Sequence, residues 1–236
     1  AEILTSVGNP AGVFYGYKTN GIFTTEAEAA EANLRIIDSD GIEHYFGAGD
    51  VRFEDYFKDG IIDEKDRQII GDPNPDLYGS FVSKITIWDI TIDALFTFSY
   101  GNEIYNFLRS NLESGSSLIN QTTAMLNRWY YEGQETDQPK VVYGDPMGNA
   151  RFSDRWIEDG SYLRLKSLSI NYKIPLKSRV IEGLNIWASV NNLWTLTNYL
   201  GRDPEVSAHN AVLFQGIDTG LIPVCKSYYV GIKLNL

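Results

Sequence analysis

The feature that most limits what this chain can become is an alternation of apolar and polar residues, sustained over runs of up to about eleven residues. Successive side chains of an extended strand point to opposite faces, so each run makes one apolar and one polar face. In the clearest case Tyr228, Val230, Ile232, Leu234 and Leu236 alternate with Tyr229, Gly231, Lys233 and Asn235. The stretch Ile90 to Tyr100 repeats the pattern with apolar even positions. Leu168, Ile170, Tyr172 and Ile174 do so against Ser169, Asn171 and Lys173, and Leu184, Ile186, Ala188 and Val190 against Asn185, Trp187, Ser189 and Asn191. A shorter stretch with Phe81, Ser83, Ile85 and Ile87 on one face precedes Ile90, and Val13 to Lys18 reads as a further strand. The pattern predicts an all-β chain of about six strands.

Two architectures share this alternation. In a soluble sandwich the apolar face is core and the polar face meets water. In a membrane barrel the apolar face meets lipid. Strands of about 9–11 residues are long enough to cross a bilayer at a tilt, whereas ordinary strands average about 5–6. Tyr100, Tyr172 and Tyr228 are placed at apolar strand ends, as in an interfacial aromatic girdle. The connections divide sharply. Trp88-Asp89 is a very short turn and Pro175 to Gly183 a modest one, while Thr19–Leu77, Gly101–Gly160 and Thr195–Lys226 are long. Such long connections are uncommon inside a compact soluble domain, but short periplasmic turns alternating with long extracellular loops are the rule in outer-membrane barrels.

Composition narrows the classes further. Acidic residues outnumber basic ones 31 to 20, for a net charge of -11, which argues against a nucleic-acid partner. At 43% hydrophobic the chain is not disordered by composition, and 15 Tyr with 21 Gly lean toward β-structure. The single cysteine, Cys225, leaves no internal disulfide and no Cys-based zinc site, and reads as an unpaired neutral residue. No apolar run has the length of a membrane helix, and the opening Ala-Glu-Ile-Leu-Thr lacks the form of a signal peptide. Six strands are fewer than the roughly eight of the smallest membrane barrels, and an open edge is not tolerated in hydrocarbon. The chain is therefore expected to be part of a larger barrel, whether as a fragment or a split subunit.

Several segments carry a family resemblance: Val7-Gly-Asn-Pro-Ala-Gly-Val-Phe-Tyr-Gly-Tyr-Lys18, Asp59-Gly-Ile-Ile-Asp63, Ile69-Ile-Gly-Asp-Pro-Asn-Pro-Asp76, Ser99-Tyr-Gly-Asn-Glu-Ile-Tyr-Asn106, Arg155-Trp-Ile-Glu-Asp-Gly-Ser-Tyr-Leu-Arg-Leu-Lys166, Asn191-Asn-Leu-Trp194, Gly201-Arg-Asp-Pro-Glu-Val206 and the terminal strand. In this order they resemble the C-terminal portion of the SusC/RagA-type TonB-dependent outer-membrane transporters of Bacteroidetes. The resemblance implies that residues 1–236 form one segment, supplying the C-terminal strands of a large, about 22-stranded antiparallel transmembrane β-barrel with long extracellular loops. The N-terminal plug and most strands would lie outside it. Also implied are a SusD-like surface lipoprotein over the mouth, outer-membrane lipid around the wall, TonB acting through the missing N-terminal part, and import of oligosaccharide or peptide substrate. Leu236 departs from the terminal aromatic residue common in outer-membrane proteins.

Candidate sites are few. Asp55 to Asp66 has EF-hand-like spacing, with Gly60 at the turn and Asp55, Asp59, the Ile61 carbonyl, Asp63 and Asp66 as oxygen donors for Ca²⁺. Phe57 stands where a third carboxylate belongs and Asp66 replaces the usual bidentate Glu, so an acidic turn that binds no metal explains the same residues. Gly71 to Asp76 reads as a stiff turn, because a residue before proline is driven from the helical region. Trp129, Tyr130, Tyr131, Tyr143 and Trp156 in the middle loop would contact substrate if their faces are open, or form the loop's own small core. His44 and His209 have no activated nucleophile nearby, and Glu158-Asp159 carries no sign of catalysis, so no enzyme activity is expected. The competing reading is a soluble or surface-attached β-rich glycan-binding module. In that case Ile90, Ile92, Phe96, Phe98, Val230 and Ile232 would be core rather than lipid-facing.

Overall fold

The computed structural model describes residues 3–176, 183–205, 207–208 and 214–235. The expected turn from Pro175 to Gly183, His209 and Leu236 fall wholly or partly outside them. The chain divides into two compact units, Pro75–Asn102 with Asp159–Val206 and Ile222–Leu236, and Ala1–Asn74 with Glu103–Glu158 and Ser207–Leu221.

The first is a sheet unit. Five strands pair antiparallel in the order Ser227–Asn235, Gly183–Thr197, Tyr162–Ile174, Ile90–Tyr100 and Leu77–Ile87. The turn at Trp88-Asp89 joins the last two, with Trp88 at a left-handed φ of 54° and its indole almost fully exposed. Register aligns the alternating patterns into rows. Ile85, Ile92, Ile170, Ala188 and Val230 form one row across all five strands, and Ile87, Ile90, Tyr172, Ile186 and Ile232 form the next on the same face. Much of this face is open, with Ile85 at 52%, Val230 at 78% and Ile232 at 70% exposure. Phe81 stacks on its cross-strand partner Phe96 with ring centroids 4.6 Å apart, a pairing favoured on pleated sheets.

The opposite face is polar. One row runs Lys84, Asp93, Ser169, Ser189 and Tyr229, with the Lys84 ammonium 3.6 Å from Asp93. Thr86 and Thr91 share a 3.2 Å hydroxyl hydrogen bond. Beside them the indole of Trp187 lies over Gly231, where a Cβ would come within 2.5 Å of the ring, so this row closes only because one partner lacks a side chain.

Two strands are longer than their alternation predicts. The Tyr162–Ile174 strand begins six residues before Leu168, and Gly183–Thr197 continues past Val190. Between the same two rows, Ile90–Tyr100 takes two steps (Ala94 to Phe96), the next strand three (Leu165 to Leu168), and Gly183–Thr197 four (Val190 to Trp194). These bulges fall at Lys166, where the one extra residue changes which positions face outward, and at Asn192, whose φ is 53°, where two extra residues keep the even positions outward. Of the three tyrosines expected at strand ends, Tyr100 and Tyr172 are there. Tyr228 is also at the end of its strand, one residue after Ser227, but that strand starts lower, so it shares the row of Ser83, Ala94, Leu168 and Val190.

The second unit is assembled from the connections, which are not irregular as the sequence pattern suggests. Val13–Gly16 is a strand, but a buried one of four residues between Ile3–Leu4 and Gln68–Gly71, not part of the long sheet. Thr19–Ile22 pairs with Val51–Phe53, Arg35–Ile37 with Glu43–Tyr45, and Glu103–Asn106 lies between Ile157–Asp159 and Ile217–Asp218. The helix Glu26–Ala32 starts at Thr25, whose hydroxyl accepts from the Glu28 amide, and ends where Asn33 adopts φ 51°. Two cores form. Tyr17, Phe23, Phe46, Val51, Phe53 and Ile62 make one; Phe14, Ile70, Tyr105, Trp156 and Ile217 make the other.

Candidate functional site

In the loop unit the acidic turn is organised around its own backbone. Asp55 accepts from the amides of Lys58 and Asp59 through one oxygen and from Gly60 at 2.7 Å through the other. Asp59 accepts from the Ile61 amide and Asp63 from Lys65, whose ammonium also pairs with it. That pairing and the amide bond hold the Asp63 carboxyl below the usual carboxylate range. Asp66, buried, accepts from Tyr56, Phe57 and Asp63. Asp and Asn side chains stabilise turns this way, so the spacing that suggests a cation loop also suits a self-bonded turn. Among the described residues no group of three or more His, Cys, Asp or Glu converges as a metal site.

The aromatic candidates separate into two kinds. Trp156 is fully buried in the second core, donates its indole N–H to the Arg151 carbonyl at 3.1 Å, and lies against the guanidinium groups of Arg155 (4.8 Å) and Arg109 (5.5 Å). Its faces are covered, which corrects the expectation of substrate contact at this residue. Burial, with the neighbouring Arg109 charge, lowers the Arg155 guanidinium to about 10. Trp129 packs on the first core and donates to the Thr24 carbonyl, closing over Gly49. Tyr130, Tyr131 and Tyr143 are exposed, with Arg128 stacked 4.3 Å from the Tyr130 ring. Only these three have open faces for a ligand.

Sequence reasoning missed a charge cluster in the sheet unit. Arg164, 2% exposed, donates to Asp203 (2.5 Å), to Glu205 (2.6 Å) and to the Thr195 hydroxyl, while Lys166 reaches Glu205 at 2.9 Å. Burial pushes the Asp203 carboxyl up. Hydrogen bonds from Arg164 and from the Glu205 and Val224 amides outweigh that, so its pKa ends below the usual range. The cluster fastens Gly201-Arg-Asp-Pro-Glu205 to the strand wall. Its only sequence signal was membership of the family segments, because the partners stand 39 and 41 residues apart.

No family profile matches the chain. TonB-dependent receptor P3 of Formosa agariphila is 31% identical over 236 residues, covering 97% of this chain and 22% of that protein. TonB-dependent receptor SusC of Bacteroides thetaiotaomicron is 24% identical over 187 residues, covering 78% and 17%. Among solved structures, the RagAB peptide importer in its open-open state superposes with a TM-score of 0.67 at 23% identity, over 95% of this chain and 22% of that one. The RagAB peptide transporter gives 0.70 at 24%, over 94% and 22%. At these identities the structures speak for the fold alone. Together with the aligned strands they define an all-β piece of a transporter barrel. The chain is a segment of a TonB-dependent transporter of the SusC/RagA type, and it spans about a fifth of the length of the relatives it matches.

Proposed function

We propose that the chain forms wall and loops of an outer-membrane importer that is energised through TonB, takes up oligosaccharide or peptide, and works beneath a SusD-like surface lipoprotein. The observation that carries the reading is the apolar face in register across five strands, with a polar face behind it. Ten steps from the Leu77–Tyr100 row to the Ile87–Ile90 row span about 33 Å at about 3.3 Å per residue. Tilted by about 40°, that is about 25 Å, the height of the apolar band on outer-membrane barrels. A soluble sandwich would cover this face with a second sheet. Among the described residues its side chains are largely open.

The test is to extract native outer membranes in mild detergent, capture the chain with an antibody to the Gly101–Gly160 loop, and weigh what accompanies it. Recovery within a much larger polypeptide, or with a second barrel chain and a lipoprotein, is expected. Recovery alone at 26.6 kDa from a detergent-free soluble fraction overturns the reading.

A further inference from the structure

The outward face of the sheet unit changes character at the end where Ile90–Tyr100 stops and Tyr162–Ile174 begins. There Gly79, Phe98, Leu163 and Leu196 form the last apolar row across four strands. Phe98 leans over Gly79, its ring 3.1 Å from where a Cβ would stand, and so away from Leu163. What it leaves is a groove of about 530 Å³ with Phe98, Leu163 and Leu196 as its floor. The mouth is polar. Ser161 lies two residues before Leu163 and Asn198 two after Leu196, and both line the groove with Asp159 and Tyr100. The Asp159 carboxylate accepts from the Ser161 amide at 2.8 Å. The Ser161 hydroxyl, that amide and the Asn198 side chain hold it below the usual carboxylate range. It is therefore ionised near neutral pH, yet no Lys or Arg pairs with it among the described residues. Tyr100 is 64% exposed, and its hydroxyl makes no hydrogen bond among the described residues.

We propose that this groove holds a membrane lipid with a phosphoethanolamine headgroup, its primary ammonium on Asp159 and an acyl chain along Phe98, Leu163 and Leu196. Each part of the groove selects one part of that lipid. An apolar floor continuous with the outward face takes a hydrocarbon chain. An ionised carboxylate takes a charge-assisted hydrogen bond from an N–H donor, which a primary ammonium has and a quaternary choline headgroup lacks. The neighbouring phosphate meets the Tyr100 hydroxyl, at the level where aromatic residues gird a barrel. A phosphate headgroup without an amine is repelled by the Asp159 charge. The inference rests on the importer reading, which puts this face in lipid and this end of the strands outside.

The test uses the assembly extracted from native membranes, stripped of lipid in detergent and weighed intact by native mass spectrometry. It is titrated with phosphatidylethanolamine, phosphatidylcholine and phosphatidylglycerol carrying the same acyl chains. Phosphatidylethanolamine is retained about tenfold more tightly than the other two. Asp159→Asn abolishes that preference, Asp159→Glu keeps it, and Tyr228→Phe, lower on the same face, leaves it unchanged. The proposal is overturned if no lipid is retained, if the three lipids bind alike, if the preference survives Asp159→Asn, or if the mass that occupies the assembly is a protein segment instead. The importer reading fails by a different observation, the absence of any larger polypeptide in the extracted assembly.

Discussion

The two units solve the problem of apolar side chains in opposite ways. Among the described residues, eighteen of the twenty buried hydrophobic side chains belong to the loop unit, and only Leu165 and Tyr199 to the sheet unit. The loop unit is built as a water-soluble domain is, with fully covered Phe14, Phe23 and Trp156 inside and most of its charge outside, Asp50 and Asp66 being buried exceptions. The sheet unit is inverted. Its Ile, Val and Phe side chains face outward, and its one buried charge cluster lies with the polar side. On the importer reading one sequence serves two solvents, and a residue's hydropathy says which solvent it meets only once its unit is known.

That contrast breaks first at Trp156. Replacing it by Ala removes the largest buried side chain of the loop unit and leaves two guanidinium groups facing a void, so a loss of about 3–5 kcal/mol is expected. Limited proteolysis of the 103–158 stretch should accelerate sharply while the sheet stays resistant; equal resistance would mean that the loop unit has no core of its own. Next is Val230→Arg, on the outward face. If that face meets hydrocarbon the change costs about 2–4 kcal/mol and the heat-modifiable, compact form of the barrel on gels is depleted. If Val230 faces water, the yield is unchanged.

The smallest expected effect is one of pH, at Asp203. Its folded pKa is depressed, so its contribution is present above the ordinary carboxylate range of about 4 and is lost as pH falls through the folded value. Each unit of depression is worth about 1.4 kcal/mol. The gap in unfolding midpoint between the native chain and Asp203→Asn in the assembled protein should be widest near pH 6 and narrow as pH falls below the ordinary carboxylate range of about 4. A gap that does not change with pH would remove the ion pair from the account.

How much of this was legible varies by element, for physical reasons. The Ile90–Tyr100 strand has the bounds its alternation predicts because nothing interrupts the period of two. Above Leu168 the inserted Lys166 flips parity, so Leu163 and Leu165 face outward from odd positions and the alternation hides them. The Val13–Gly16 strand was found, but its place in a separate small sheet was not, since periodicity does not say which sheet a strand joins. The loop cores left no local trace. Phe14, Ile70, Tyr105, Trp156 and Ile217 meet from five separate stretches. The aspartates of the 55–66 turn were visible as a set, but spacing alone did not distinguish oxygens aimed at a cation from oxygens aimed at the chain's own amides.

The sheet's strand count has a consequence for closure. Four antiparallel pairings across five strands leave Leu77–Ile87 and Ser227–Asn235, the two borders, pointing the same way. Copies of this chain inserted with one orientation would meet border to border in parallel, so no number of them closes an antiparallel ring. Closure demands an odd complement whose own two borders run in the opposite sense, and the total is then even, as in bacterial single-chain barrels. The arithmetic of direction thus excludes self-completion and dictates the parity of whatever completes the wall.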